Sequence, residues 1–185
     1  MDLWRVCVWL PQQSDPARNG HPTYVWPRQG QGRVDDPEHE YLVLYLGDSP
    51  AGAVAEYLGD YPRWTPAVLE PPPAAPPGSY LALARFEMIR PVLDLDDPDV
   101  LSEWHLRPSE VVTRDRVITQ QWARAIYDSQ EYAGVSWWSY REPRWSSLGL
   151  WDISDVRWTG QIKELTLDHP ALLEASDVLL RPVEP

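Results

Sequence analysis

Cysteine occurs once in the 185 residues, at Cys7, which excludes an internal disulfide framework and suits a reducing compartment, so a cytoplasmic location is expected. No stretch approaches the ~18 consecutive apolar residues of a membrane-spanning helix. The opening run "MDLWRVCVWLPQQ" is apolar over too short a length and lacks a small-residue cleavage site, so no signal peptide is expected. His21, His39, His105 and His169 are isolated from one another; with a single cysteine they offer no ligand spacing for a metal, and none is expected. Neither a P-loop nor a GxGxxG stretch is present, which argues against a Rossmann-type cofactor site. Positive charge is also scarce: 16 Lys and Arg against 28 Asp and Glu leave a net charge of −12. Without a basic face to release counterions from phosphates, direct nucleic-acid binding is not expected. All but one of those cations, Lys163, are arginine, whose planar fork grips phosphate bidentately, so any arginine inside a pocket is of interest.

What the chain does have is a globular composition, 43 % apolar, and a length that suits one domain with a real core. Residues 1–9 read as a strand, with Leu3, Arg5 and Cys7 on one side and Trp4, Val6 and Val8 on the other. Residues 11–40 read mostly as loop. "EYLVLYLG" is apolar on both faces and predicts a central strand, with Tyr41, Val43 and Tyr45 on one side and Leu42, Leu44 and Leu46 opposite. Ser49 and Pro50 then open a helix as N-cap and first residue. Ala51, Val54, Ala55 and Leu58 form its apolar stripe, and Glu56 lies well off it.

Residues 62–79 are too rich in proline for a helix or an inner strand and predict an extended surface loop. "YLALARFEMI" and "PVLDL" resume strand patterning. Residues 109–129 predict one long helix with Val117, Ile118, Trp122, Ala125 and Ile126 along one side. "AGVSWWSY" predicts a strand with Val135, Trp137 and Ser139 on a common side, "LGLWDI" suggests another, and residues 161–185 are expected to be peripheral. Strands and helices alternate without a regular βαβ rhythm, which predicts a single α+β or mixed α/β domain around a central mixed sheet.

Arg33, Tyr45 and Glu56 attract attention as a possible shared site. Each has an ordinary reading. Glu56 can be a solvated helix carboxylate, Arg33 a loop arginine in a surface ion pair, and Tyr45 a core tyrosine bonded to backbone. Ser139 follows two tryptophans at a strand end; a nucleophilic serine would need a histidine relay, which the histidine spacing does not suggest, so a binding role fits better.

Their order resembles the RES domain, a family named for its arginine, glutamate and serine. The resemblance runs over roughly residues 3–160. It rests on a Gly-Arg turn at Arg33, a strand ending "LYL" that carries Tyr45, the capped helix "SPAGAVAE" with Glu56, and "TQQWARAIY" followed by a glycine and the strand ending at Ser139. Val34 stands where the family often has an aromatic, and Trp137 where it often has tyrosine. The resemblance implies a core like that of ADP-ribosyltransferases and a toxin of a bacterial toxin–antitoxin pair that destroys NAD+. Arg33, Glu56 and Ser139 would be its catalytic set, with Tyr45 and Arg5 binding substrate. It implies NAD+ as substrate and not as cofactor, water or inorganic phosphate as acceptor, and a helix-turn-helix antitoxin as partner; it leaves room for a homodimer. Two other readings compete: a tryptophan-rich interaction module, given eleven tryptophans, and a RES-like domain that binds a nucleotide without cleaving it.

Overall fold

The computed structural model describes all 185 residues. Its elements are β1 (Asp2–Trp9), β2 (Leu44–Gly47), α1 (Pro50–Leu58), β3 (Tyr80–Met88), β4 (Leu93–Asp94), α2 (Pro98–Glu103), α3 (Pro108–Val112), α4 (Arg116–Ser129), β5 (Gly134–Trp138), β6 (Ser146–Leu150), β7 (Val156–Glu164) and α5 (Pro170–Leu179). The seven strands form one sheet in the order β4-β5-β6-β2-β1-β3-β7. Only the β4–β5 pair is parallel, so this is the α+β domain with a mixed sheet that the sequence predicted. β2 sits in the middle, as its two apolar faces required. No helix is long and apolar enough to cross a membrane.

One face of the sheet is continuous. Leu3 and Cys7 of β1, Leu44 and Leu46 of β2, Phe86 of β3 and Leu148 and Leu150 of β6 share one cluster there, with Val25 and Val92 packed on it from flanking loops. The other face is covered in two halves. α1 and α5 pack over β1 and β3 through Val54, Leu58, Leu172, Val6 and Leu83. α3 and α4 pack over the β5 side through Val111, Trp122, Ile126, Val135 and Trp137. The halves meet along the line between β1 and β2, which are joined by a single residue pair, Trp4 with Gly47. A gap between two helical layers over a weakly paired seam leaves room for a cleft.

α1 follows its expected pattern. The Ser49 hydroxyl accepts from the Gly52 amide at 3.0 Å, and Ala51, Val54, Ala55 and Leu58 are completely buried. Full burial of Val54 or Leu58 contributes roughly 1.5–3 kcal/mol each. Glu56 is left on the open side.

Elsewhere the structure departs from expectation. Residues 109–129 form two helices, because the Asp115 side chain caps a new one by accepting from the Val117 amide at 3.0 Å. The buried face of α4 is Thr119, Trp122, Ala123 and Ile126; Val117, Ile118 and Ala125 point outward. The C-terminal segment is part of the core and not peripheral: Ala171, Leu172 and Ala175 of α5 are buried against α1. The proline-rich loop is mostly irregular, but its Trp64 is fully buried, and its backbone pairs with Pro182 and Glu184 near the C-terminus. Of the eleven tryptophans, Trp26 alone is exposed, so no broad tryptophan surface forms.

Candidate active site

A cleft of about 400 Å³ lies over the β1–β2 seam, lined by Trp4, Arg5 and Val6 of β1, Tyr45, Leu46 and Gly47 of β2, and Ala53, Glu56 and Tyr57 of α1. Gly32, Arg33, Arg116, Trp137, Tyr140 and Ser147 complete its walls. Four of the five residues singled out in the sequence therefore share one cavity. The fifth, Ser139, stands directly behind it: its buried hydroxyl donates to Glu56 Oε1 at 2.5 Å and accepts from the Arg141 amide at 3.1 Å. A larger cavity of about 720 Å³, walled by Tyr24, Tyr41, Tyr127 and Trp151 among others, shares none of these residues. Chemistry, not size, distinguishes the smaller one, because it holds a carboxylate beside several guanidinium groups.

Glu56 is fixed from two sides. Ser139 holds one oxygen, and Arg141 Nε lies 4.0 Å from the other. Arg141 is itself buried, bonded to Asp60 at 2.8 Å, and stacked 4.8 Å from the Tyr140 ring centroid. The Ser139 hydroxyl thus bridges the Glu56 carboxylate and the Arg141 amide.

Arg33 has its fork turned to the protein. Its Nη1 donates to the carbonyls of Val111 (2.5 Å) and Thr113 (2.8 Å), and Nη2 to that of Val112 (3.4 Å). These are the carbonyls left open at the end of α3, and a cation there is favoured by the helix dipole. Burial, followed by the nearby positive charge of Arg116, lowers the Arg33 pKa from its usual value. Tyr45 donates to Asp35 Oδ1 at 2.7 Å and accepts from the Val34 amide at 3.2 Å. Burial and the adjacent Asp35 raise its pKa well above the ordinary tyrosine value, so the phenol stays protonated. Arg5 donates to the carbonyls of Pro22 and Tyr24, both at 2.8 Å, and so ties the long N-terminal loop to β1.

The loop carrying Arg33 is held by that same Asp35, whose other oxygen accepts from the amides of Gly30 and Gly32 at 2.7 Å. Gln120 of α4 donates to the Gly30 and Gly32 carbonyls at 3.0 Å. A Cβ on Gly32 would collide with the Tyr45 hydroxyl and the Asp35 carboxylate, which is why glycine precedes Arg33. Sequence reasoning missed Arg116, Arg141, Tyr140 and Asp35. Asp115 as an N-cap was the available signal for Arg116, since it breaks the long helix and puts Arg116 at the start of α4.

The RES domain family model matches residues 2–168, and the chain belongs to the RES domain family. Among solved structures it resembles a chain in the crystal structure of the M. tuberculosis MbcT–MbcA toxin–antitoxin complex, with a TM-score of 0.59 and 14 % sequence identity, over 97 % of this chain and 88 % of that one. At that identity the likeness is one of fold. Comparison with curated protein sequences returns no match.

Proposed function

We propose that this protein is the toxin of a toxin–antitoxin pair and that it cleaves the nicotinamide–ribose bond of NAD+. The observation that carries the reading is the Glu56 carboxylate, held by Ser139 at 2.5 Å on the wall of a cleft that also contains Arg5, Arg33 and Arg116. Membership of the RES family and the resemblance in fold to a toxin–antitoxin component support it. Loss of nicotinamide generates an oxocarbenium-like ribose, and a fixed carboxylate beside it stabilises positive charge that develops only in the transition state. Ser139 and Arg141 keep that carboxylate from rotating away. The arginines offset the phosphate charge of the dinucleotide, and Trp137 and Tyr57 supply apolar wall for its rings. Water or inorganic phosphate accepts the ADP-ribosyl group.

In the cytoplasm such an activity has to be silenced, and the partner is a helix-turn-helix antitoxin that covers the cleft. The negative net charge leaves DNA binding to that partner. The test is nicotinamide release from NAD+ by purified protein, with Glu56→Ala set against Glu70→Ala, an exposed glutamate outside the cleft. Loss of activity in the first variant only is expected; equal rates in the two would sink the assignment. Products formed with and without phosphate, ADP-ribose or its 1″-phosphate, identify the acceptor. Binding of NAD+ without turnover would move the protein to the nucleotide-binding reading.

A further inference from the structure

We infer that Arg116, and not Arg33, is the side chain that grips a phosphoryl group in the cleft. The inference rests on the proposed reading that the cleft takes a dinucleotide. Both arginines line the same cavity, but Arg116 keeps both of its Nη groups free while Arg33 commits both of its own to the protein. The Nη groups of Arg33 are bonded to the Val111, Val112 and Thr113 carbonyls. Arg116 makes one bond, from Nε to the Gln31 carbonyl at 3.2 Å. Neither Nη has a partner; Nη1 is shielded from solvent, which leaves Nη2 as the group that faces the cleft. A guanidinium whose free N–H groups face a cleft pairs best with a phosphoryl oxygen, through a charge-assisted hydrogen bond.

The carboxylates of this region are already engaged. Asp35 takes Tyr45 on one oxygen and the Gly30 and Gly32 amides on the other. Glu56 takes Ser139 and faces Arg141. Arg116 therefore has no internal counter-ion, and its charge adds to burial in lowering the pKa of its neighbour Arg33. An anion bound beside both would relieve that repulsion. The phosphoryl group could come from the pyrophosphate of NAD+ or from free inorganic phosphate, since both present the same oxygens.

The experiment is calorimetric titration of the purified protein with NAD+, with inorganic pyrophosphate and with inorganic phosphate. Wild type is compared with Arg116→Gln, Arg116→Lys and, as control, the exposed Arg63→Gln. Loss of a charge-assisted contact predicts NAD+ affinity about 10- to 100-fold weaker in Arg116→Gln, partly recovered in Arg116→Lys and unchanged in Arg63→Gln. Parallel loss of pyrophosphate binding would identify the dinucleotide's own phosphates. Loss confined to inorganic phosphate would identify the acceptor as the group held. An Arg116→Gln protein that melts as wild type and binds all three probes as wild type overturns the inference, as does a wild type that binds none of them. A wild type that binds NAD+ and releases no nicotinamide removes the catalytic reading while leaving the role of Arg116 measurable.

Discussion

Arg33→Lys separates a structural role from a substrate contact. The guanidinium spans three consecutive carbonyls at the end of α3, two of them at 2.5 and 2.8 Å. A hydrogen bond to a charged group contributes about 1.5–3 kcal/mol. Lysine keeps the charge, but its single tetrahedral ammonium on a shorter reach cannot hold carbonyls arrayed for a planar fork. Losing one strong contact and weakening the others predicts a destabilisation of about 2–3 kcal/mol. For a domain of this length each kcal/mol shifts the melting temperature by about 2–4 °C, so a fall of about 4–12 °C is expected. Thermal melting with parallel urea unfolding measures it. The KM for NAD+, taken well below the melting transition, should change by less than about threefold, a shift under about 0.7 kcal/mol. An unchanged melting temperature together with a KM raised about tenfold would refute the reasoning, because it would make Arg33 a ligand of substrate and not a clamp on α3.

Ser139→Ala removes the donor that orients Glu56 and leaves the Arg141 amide without its acceptor; kcat should fall about 10- to 100-fold with little change in KM, and a normal kcat would free Ser139 from any role. Leu172→Ala should destabilise the protein by about 2–5 kcal/mol in urea unfolding, since Leu172 is completely buried between α5 and α1; a neutral result would return the C-terminal segment to the periphery. Stability should decline above about pH 9. Burial raises the Cys7 thiol to about 11, and Tyr41 and Tyr45 are also raised. The unfolded chain therefore loses these protons first, and stability falls as pH climbs from the unfolded toward the folded values, by up to about 1.4 kcal/mol per pH unit for each group. Urea unfolding from pH 8 to 11 should show the decline, with a shallower slope in Cys7→Ala; a flat profile contradicts it.

What was legible in the sequence was local. The Ser49–Pro50 start, the stripe through Leu58 and the outward place of Glu56 follow from one helical turn after another. The two faces of β1 and β2 follow from strict alternation. The long helix failed at Asp115, where a capping side chain mid-pattern outweighed the apolar periodicity around it. Val117 and Ile118 suggested continuity but serve only the exposed side of α4. The burial of α5 went unread although Ala171, Leu172 and Ala175 form a short stripe, because the surrounding prolines suggested a tail.

The site itself was legible only through its family order. Nothing near Arg33 in sequence announces that its partners are the carbonyls of Val111 to Thr113, some eighty residues away. Nor does anything beside Tyr45 say that Asp35 will take its proton donor. Those contacts arise from folding the loop at residues 30–36 across α3 and α4. Arg116 was hidden for the same reason, lying inside a predicted helix until the chain broke before it.

The two rims of the sheet bear on how the molecule behaves in a crowded solution. A seven-stranded sheet offers two open ladders on which a second chain could add a strand. At one rim β4 is two residues long and offers almost no ladder. At the other, β7 is nine residues long, yet its pairing with β3 jumps from Ile162 opposite Ala84 to Trp158 opposite Phe86. Gly160 turns through a φ of +80° in that bulge, and the Thr159 hydroxyl pins it to the Arg85 carbonyl at 3.0 Å. Arg157, Lys163 and Glu164 add charge along the same strand. A bent, charged rim is a poor template for a neighbouring strand. The chain is therefore built to stay dispersed rather than to polymerise edge to edge.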